Sequence, residues 1–180
     1  DEALKVGWDL TWQYDNYNQF RLGVNDKQDD IYYEYFNKRS GTIYADKYEV
    51  KPWDLSAYIQ DKIEVAGLIA NVGVRMEHYN PNVNYYEEPG LAVASHLETM
   101  PQGNPLKGEY PDEGLTEADS KTYFMPRLGL SYPVSDTGKF RFSYGHFYKY
   151  PSYDVLYSHL KRPMNDSYYG NPYLDAQKAI

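Results

Sequence analysis

Leu55-Ser56-Ala57-Tyr58-Ile59-Gln60-Asp61-Lys62-Ile63-Glu64-Val65, then Ala66-Gly67, then Leu68-Ile69-Ala70-Asn71-Val72-Gly73-Val74-Arg75-Met76-Glu77-His78-Tyr79, is the stretch that decides the fold. In its first half Leu55, Ala57, Ile59, Ile63 and Val65 share one parity, and Ser56, Tyr58, Gln60, Lys62 and Glu64 the other. In its second half Leu68, Ala70, Val72, Val74 and Met76 alternate with Ile69, Asn71, Gly73, Arg75 and Glu77. Period two is the signature of a strand with one apolar and one polar face. Ala66-Gly67 is a two-residue hairpin loop, with a glycine free to take positive φ. Asp61 interrupts the apolar parity, and a bulge or a position near the short-turn end is the expected reason.

Working outward, the same alternation marks strands at about 4–14, 55–65, 68–79, 124–134 and 139–150. In the first, Leu4, Val6, Trp8, Leu10, Trp12 and Tyr14 oppose Lys5, Gly7, Asp9, Thr11 and Gln13. In the last two, Phe124, Leu128, Leu130 and Tyr132 lead to Phe140, Phe142, Tyr144, His146, Tyr148 and Tyr150, through the short turn Ser135-Asp136-Thr137-Gly138. Between the short turns lie long polar stretches, expected as loops at about 21–53, 81–121 and 151–180. Structureless loops of ~20 residues are unusual in a compact domain. Short turns at one end and long loops at the other are the habit of outer-membrane barrels.

The composition agrees. Tyrosine supplies 22 of the 180 residues, and its apolar ring and polar tip suit a boundary between apolar and wet surroundings. No run approaches the ~20 apolar residues of a spanning helix, whereas a barrel strand needs only ~9–11 with one apolar face. Aromatics stand toward the strand ends at Trp12, Tyr14, Tyr132, Tyr148 and Tyr150, as an interfacial girdle requires. The opposite face carries too many charges for a sandwich core and suits a wet lumen. The fold expected is therefore all-β: an antiparallel meander of membrane-barrel strands with short periplasmic turns and long extracellular loops. Five clear strands make it a partial barrel, a section of one domain over 1–180.

Chemistry is sparse. There is no Cys, which excludes disulfide frameworks, Cys-based zinc sites and a Cys nucleophile. The four histidines, His78, His96, His146 and His159, have no metal-ligand spacing. Asp26, Asp29, Asp30 and Glu34 read as a solvated acidic loop rather than a calcium site. No catalytic triad, phosphate loop or dinucleotide fingerprint stands out, so neither an enzyme nor a cofactor is expected. A net charge of −8 argues against nucleic acid.

Several segments resemble the barrel strands of TonB-dependent outer-membrane receptors. Ala57-Tyr58-Ile59-Gln60-Asp61 resembles the family's opening "A-Y-hydrophobic-Q-D", and Gly73-Val74-Arg75 its partner strand. Pro126-Arg127-Leu128-Gly129-Leu130-Ser131, Ser143-Tyr144-Gly145-His146-Phe147 and Gly170-Asn171-Pro172-Tyr173-Leu174 resemble the strands and segment that follow, in the family's order over roughly 54–178. The style is closest to the large receptors with carboxypeptidase-regulatory-like N-terminal domains. The resemblance implies a 22-stranded barrel enclosing a plug, so these residues are expected to be a section of a longer chain. It implies uptake of a scarce nutrient with energy supplied through TonB.

The partners it implies are outer-membrane lipid and lipopolysaccharide, the TonB complex acting through a plug absent from this chain, a small-molecule, peptide or glycan ligand, and an accessory lipoprotein. Arg75, Glu77, Arg127, Arg141 and Lys149 are then expected to face the lumen or plug. The loop tyrosines Tyr32, Tyr33, Tyr85, Tyr86 and Tyr110 are candidates for ligand contact, since tyrosine gives large contact area at low entropic cost. Acidic outer loops favour a neutral or cationic ligand, or cation bridging to lipopolysaccharide. The rivals are a structural or adhesive outer-membrane barrel without transport, and a soluble β-sandwich binding module.

Overall fold

The computed structural model describes residues 2–39, 42–87, 115–158 and 170–180. Its strands are β1 (Glu2–Gln13), β2 (Asn18–Arg39), β3 (Thr42–Val50), β4 (Trp53–Val65), β5 (Leu68–Asn80), β6 (Asn84–Tyr86), β7 (Leu115–Glu117), β8 (Lys121–Pro133), β9 (Lys139–Gly145), β10 (Phe147–Lys149) and β11 (Gln177–Ala179). One short helix, α1, spans Tyr153–Tyr157. The main sheet is an open antiparallel meander in the order β1-β2-β4-β5-β8-β9, with β3 paired to the far half of β2. Small ribbons β6-β7 and β10-β11 lie beside it.

The β1–β2, β4–β5 and β8–β9 connections are short and lie at the same end. Between β4 and β5, Ala66 (φ 48°) and Gly67 (φ 83°) are both left-handed, the geometry that matches the twist of a two-residue hairpin. Between β1 and β2, the Asp15 carboxylate accepts from the amides of Tyr17 and Asn18 at 2.7 Å each. Between β8 and β9, Val134 N–H donates to the Gly138 carbonyl at 2.9 Å.

In-register pairing carries one apolar face across the sheet. Leu10, Leu22, Ile59, Val74 and Pro126 form one cross-strand row. Trp12, Phe20, Asp61, Val72, Leu128 and Tyr144 form the next, toward the short turns. These side chains are exposed: Trp8 55%, Trp12 54%, Ile59 51%, Phe124 61%. So broad an exposed apolar face is not a water-facing surface. From Leu68 to His78, β5 runs about 33 Å at ~3.3 Å per residue, or about 23 Å of height at a ~45° tilt, the height of a barrel's apolar band. Trp12, Tyr14 and Phe20 pack edge-on and tilted at 5.3–6.3 Å near the short-turn end, where an aromatic girdle belongs.

Three expectations are corrected. Of the expected loop 21–53, residues 21–39 and 42–50 are strand. β2 continues unbroken for 22 residues, and β3 turns back on it. The charge run 26–30 hides this, because the outward parity passes from Phe20, Leu22 and Val24 to Asp26, Gln28 and Asp30 where the strand rises above the apolar band.

The second correction is the aromatic end of the last strand, which breaks at His146. His146 N–H donates to the Pro126 carbonyl at 3.0 Å, but proline has no N–H to return, so the ladder stops there. Beyond the break Tyr148 and Tyr150 join the inner face, with ring centroids 4.5 Å from Tyr123 and 4.9 Å from Tyr79. They are not girdle residues.

Third, Asp61 pairs in register with Phe20 and Val72, so no bulge shifts its parity. It stands in the third outward row from the Ala66-Gly67 turn, midway along the Leu68–His78 stretch and not at the short-turn end.

The only hydrophobic cluster of buried residues among those described sits at the long-loop end. Ile31, Tyr48 and Val50 of the β2–β3 hairpin meet Tyr79, Val83, Tyr85, Ala118, Leu156 and Tyr157 there. Of the expected loop 81–121, the described ends form the β6-β7 ribbon; of 151–180, they form α1 and β11.

Candidate functional site

The polar parity of the same strands forms the inner face. Arg75 on β5 donates through Nε to Glu77 Oε1 at 2.7 Å and through Nη2 to Ser56 Oγ at 2.8 Å. The Tyr58 hydroxyl on β4 donates to Asp9 Oδ1 on β1 at 2.6 Å, and Gln60 donates to Asn71 at 3.3 Å. Arg127 on β8 lies under the ring of Phe147, 5.1 Å from its centroid. Arg21, Gln60, Gly73 and Arg127 share one cross-strand row. They help line a concavity of about 780 Å³ with Tyr58 and Asn71. Arg141 stands on β9 opposite Ser131.

Beyond β9 the chain crosses the inner face as a strap pinned by tyrosines. Tyr153 of α1 donates to Asp29 Oδ2 of β2 at 2.6 Å. The hydroxyls of Tyr157 and Tyr79 are 2.6 Å apart, and Tyr157 also donates to the Pro81 carbonyl at 3.2 Å. Tyr157 is fully buried. Burial first, and then Asp29, raises the Tyr153 phenol above its usual range; burial does the same for Tyr157. On the return, Lys121 Nζ donates to Asp175 at 3.0 Å and Ala176 N–H to the Tyr123 hydroxyl at 3.2 Å. Phe147 and Ile180 bring the β10-β11 ribbon to the edge of the concavity.

The residues singled out from sequence fall in different places. Arg75, Glu77, Arg127 and Arg141 lie on the inner face. Lys149 does not join them: it is exposed on the β10-β11 ribbon opposite Gln177, alternating with Tyr148 and Tyr150. The tyrosines do not converge. Tyr32 hydrogen-bonds Glu34 on one side of the β2–β3 hairpin. Tyr33 stacks on Tyr48 on the other, with centroids 5.0 Å apart. Tyr85 and Tyr86 are each only 6% exposed, so they pack rather than present a surface. Tyr110 lies outside the described residues. Sequence reading missed Arg21, Tyr153 and Tyr157, and it took Asp29 for a solvated loop acid, whereas Asp29 is buried on β2 and accepts from Tyr153. Arg21 was findable, because it alternates with Phe20 and Leu22 just as Thr11 does with Leu10 and Trp12.

No group of three or more His, Asp or Glu side chains suited to a metal ion occurs among the described residues. An open antiparallel wall, apolar outside, polar inside, with short turns at one end, is the construction of an outer-membrane β-barrel. The sequence matches over residues 1–180 the family model described as TonB dependent receptor-like, beta-barrel. The chain belongs to that family of Gram-negative outer-membrane receptors and transporters, which is not an enzyme class. No curated protein and no solved structure matches it.

Proposed function

We propose that the chain is the wall section of a transporter that takes up a scarce nutrient with energy supplied through TonB. The observation that carries this reading is the two-faced wall itself. Its outer face is continuous and apolar, while its inner face is charged and hydrogen-bonded. The inner face therefore encloses a polar interior, and in this family's style that interior holds a plug on which TonB acts. Arg75, Glu77, Arg127 and Arg141 face the plug on this reading. The ligand, a small molecule, peptide or glycan, meets the extracellular loops first. There Tyr32 and Tyr33 stand 49% and 41% exposed on the projecting hairpin. The family style points further to the subtype with a carboxypeptidase-regulatory-like domain, and to an accessory lipoprotein and lipopolysaccharide as neighbours.

The test is growth of the parent bacterium, with this receptor deleted, on single limiting metal complexes, glycans and peptides. A defect on one of these sources, reproduced by loss of TonB, is the expected result. A defect that loss of TonB does not reproduce points to a passive barrel. No defect on any source, together with lost surface attachment, points to an adhesive one.

A further inference from the structure

Between β8 and β10 the wall is not joined by backbone. The β8–β9 ladder ends at the pair Arg127–Gly145, and past it one bond remains, from His146 N–H to the Pro126 carbonyl. That bond sets the direction of the edge. Along an antiparallel strand successive residues bond alternately to the two neighbours, so the backbone groups of Thr122 and Phe124 point the same way as those of Pro126. No described residue pairs with them on that side, because β10 pairs with β11 and forms no ladder with β8. Side chains close the seam: inside it Tyr123 packs on Tyr148, with ring centroids 4.5 Å apart. Outside it Phe124 is 61% exposed. Thr122 stands opposite His78 at the upper margin of the apolar band, and Phe124 opposite Met76 just within it. Unpaired backbone at that height is costly in lipid and is tolerated where it is covered by protein or lines a cavity. A cavity is there: Arg127, Gly145 and Phe147, at the foot of the seam, line the concavity of about 780 Å³. Like Arg21 and Arg141, Arg127 has no carboxylate partner among the described residues.

We propose that this seam is a lateral port through which a long-chain carboxylate passes between the outer leaflet and the concavity. The proposal rests on the wall's place in the outer membrane and goes beyond uptake driven through TonB. Height selects an amphiphile, since the seam opens where the apolar band meets the polar margin. Charge selects the head group: the guanidinium of Arg127 holds a carboxylate through two parallel hydrogen bonds. Phe147 over Arg127 fixes that fork in advance and offers its own ring, 50% exposed, to the chain. The concavity has the volume of a small-molecule site. Opening the port parts one ring pair and breaks no ladder, so the width suits a single acyl chain.

The experiment uses the full-length receptor in phosphatidylcholine vesicles, irradiated with a diazirine-bearing palmitate, and the adducts are mapped by mass spectrometry. Adducts concentrated on residues 122–126 and 144–148 are expected, competed by palmitate and not by hexadecanol. Arg127→Gln is expected to lower their yield about fivefold, the scale of one lost ion pair, whereas Arg127→Lys stays within about twofold. Pro126→Val returns an N–H to the ladder and is expected to lower the yield about threefold. Heat-modifiable migration confirms that each variant is folded. If either fails to fold, amide exchange of the unaltered receptor decides the seam: Thr122 and Phe124 are expected to exchange about tenfold faster than Leu128 and Leu130. Equal protection at all four overturns it. Adducts spread evenly over the apolar face, or unchanged in the folded variants, overturn the port. If diazirine-bearing phosphatidylglycerol labels the seam and palmitate does not, the site holds a membrane lipid head and the assignment to a free carboxylate fails.

Discussion

The Tyr58 hydroxyl reaches Asp9 Oδ1 two strands away, at 2.6 Å, by laying its ring across the backbone of Gly23. A Cβ at Gly23 would stand 2.4 Å from Asp9 Oδ1 and 2.5 Å from Tyr58 Cε1. The glycine is thus the slot in which the cross-strand bond lies, and β1, β2 and β4 are tied at one height.

Gly23→Val is therefore expected to lower the thermal midpoint of the folded barrel more than Tyr58→Phe. The latter removes one partly exposed hydrogen bond, about 1 kcal/mol or less. Gly129→Ala is the control, since a Cβ there meets nothing nearer than 3.8 Å. In the pair Gly23→Val with Tyr58→Ala, removing the ring relieves the clash, so the losses fall short of additive. Midpoints read from heat-modifiable gel migration decide this. A Gly23→Val barrel as stable as Gly129→Ala would sink the slot.

The strap makes a separable prediction. Tyr157 is fully buried, and its hydroxyl meets that of Tyr79 at 2.6 Å. Tyr157→Ala leaves a large cavity, costing the strap about 3–5 kcal/mol by analogy with buried aromatic truncations. Tyr157→Phe orphans its partners for about 1–3 kcal/mol, and adding Tyr79→Phe recovers part of that. Limited proteolysis near α1 should accelerate in that order while the sheet keeps its heat-modifiable migration. Equal resistance in all three variants would mean that these rings do not pin the strap.

How much of this was legible beforehand depended on whether local parity carried the information. β1, β4, β5 and β8 announce themselves because their outward residues within the band are apolar, Asp61 excepted. β2 does not, because above the apolar band its outward positions become Asp26, Gln28 and Asp30, and a strand rising into water obeys no hydropathy rule. The inward turn of Tyr148 and Tyr150 follows from Pro126 standing opposite His146, a pairing fixed only by the register of two strands. The buried cluster joins Tyr79 to Tyr157, 78 residues apart, and no spacing rule reaches that far. The arginines of the inner face were readable as a face, but which of them lacked a partner needed distances.

The turn at Asp15 predicts a pH dependence. The amides of Tyr17 and then the Asn18 side chain hold its carboxyl below the usual value of 3.8. A carboxyl lowered by folding contributes order above its unfolded pKa, and loses it as pH falls through the folded one. Amide exchange at Tyr17 and Asn18, normalised to an Asp15→Ala reference, should be protected near neutrality and lose that protection only below about pH 3.8. Protection that persists through that range, or is absent at pH 7, would show that the carboxylate does not hold the turn.

The direction of the wall is tested by charge. Val74 sits mid-row on the apolar face between Ile59 and Pro126, while Gln60 stands on the inner face. Val74→Arg should cost about 2–4 kcal/mol if its row lies near mid-bilayer, whereas Gln60→Arg costs little beyond its Asn71 hydrogen bond. Folding yield into phospholipid vesicles separates them. If both were tolerated, the apolar face would not be in lipid.

Asp61 sharpens the same point, because it is a carboxylate on that outer face. It lies between Phe20 and Val72, and its Oδ1 is buried without a hydrogen-bond partner. An acid there costs less than Arg or Lys would, and its row also carries the rings of Trp12, Phe20 and Tyr144. Even so, an unsatisfied buried oxygen is unfavourable by about 1–3 kcal/mol. Replacing it by an apolar residue of similar reach removes that cost and completes the row. Asp61→Val is therefore expected to raise folding stability in vesicles by about 1 kcal/mol, the low end of that range. A loss of stability instead would mean that Asp61 meets a polar partner on the outside of the barrel, and that this height of the wall is a contact surface rather than a lipid-facing one.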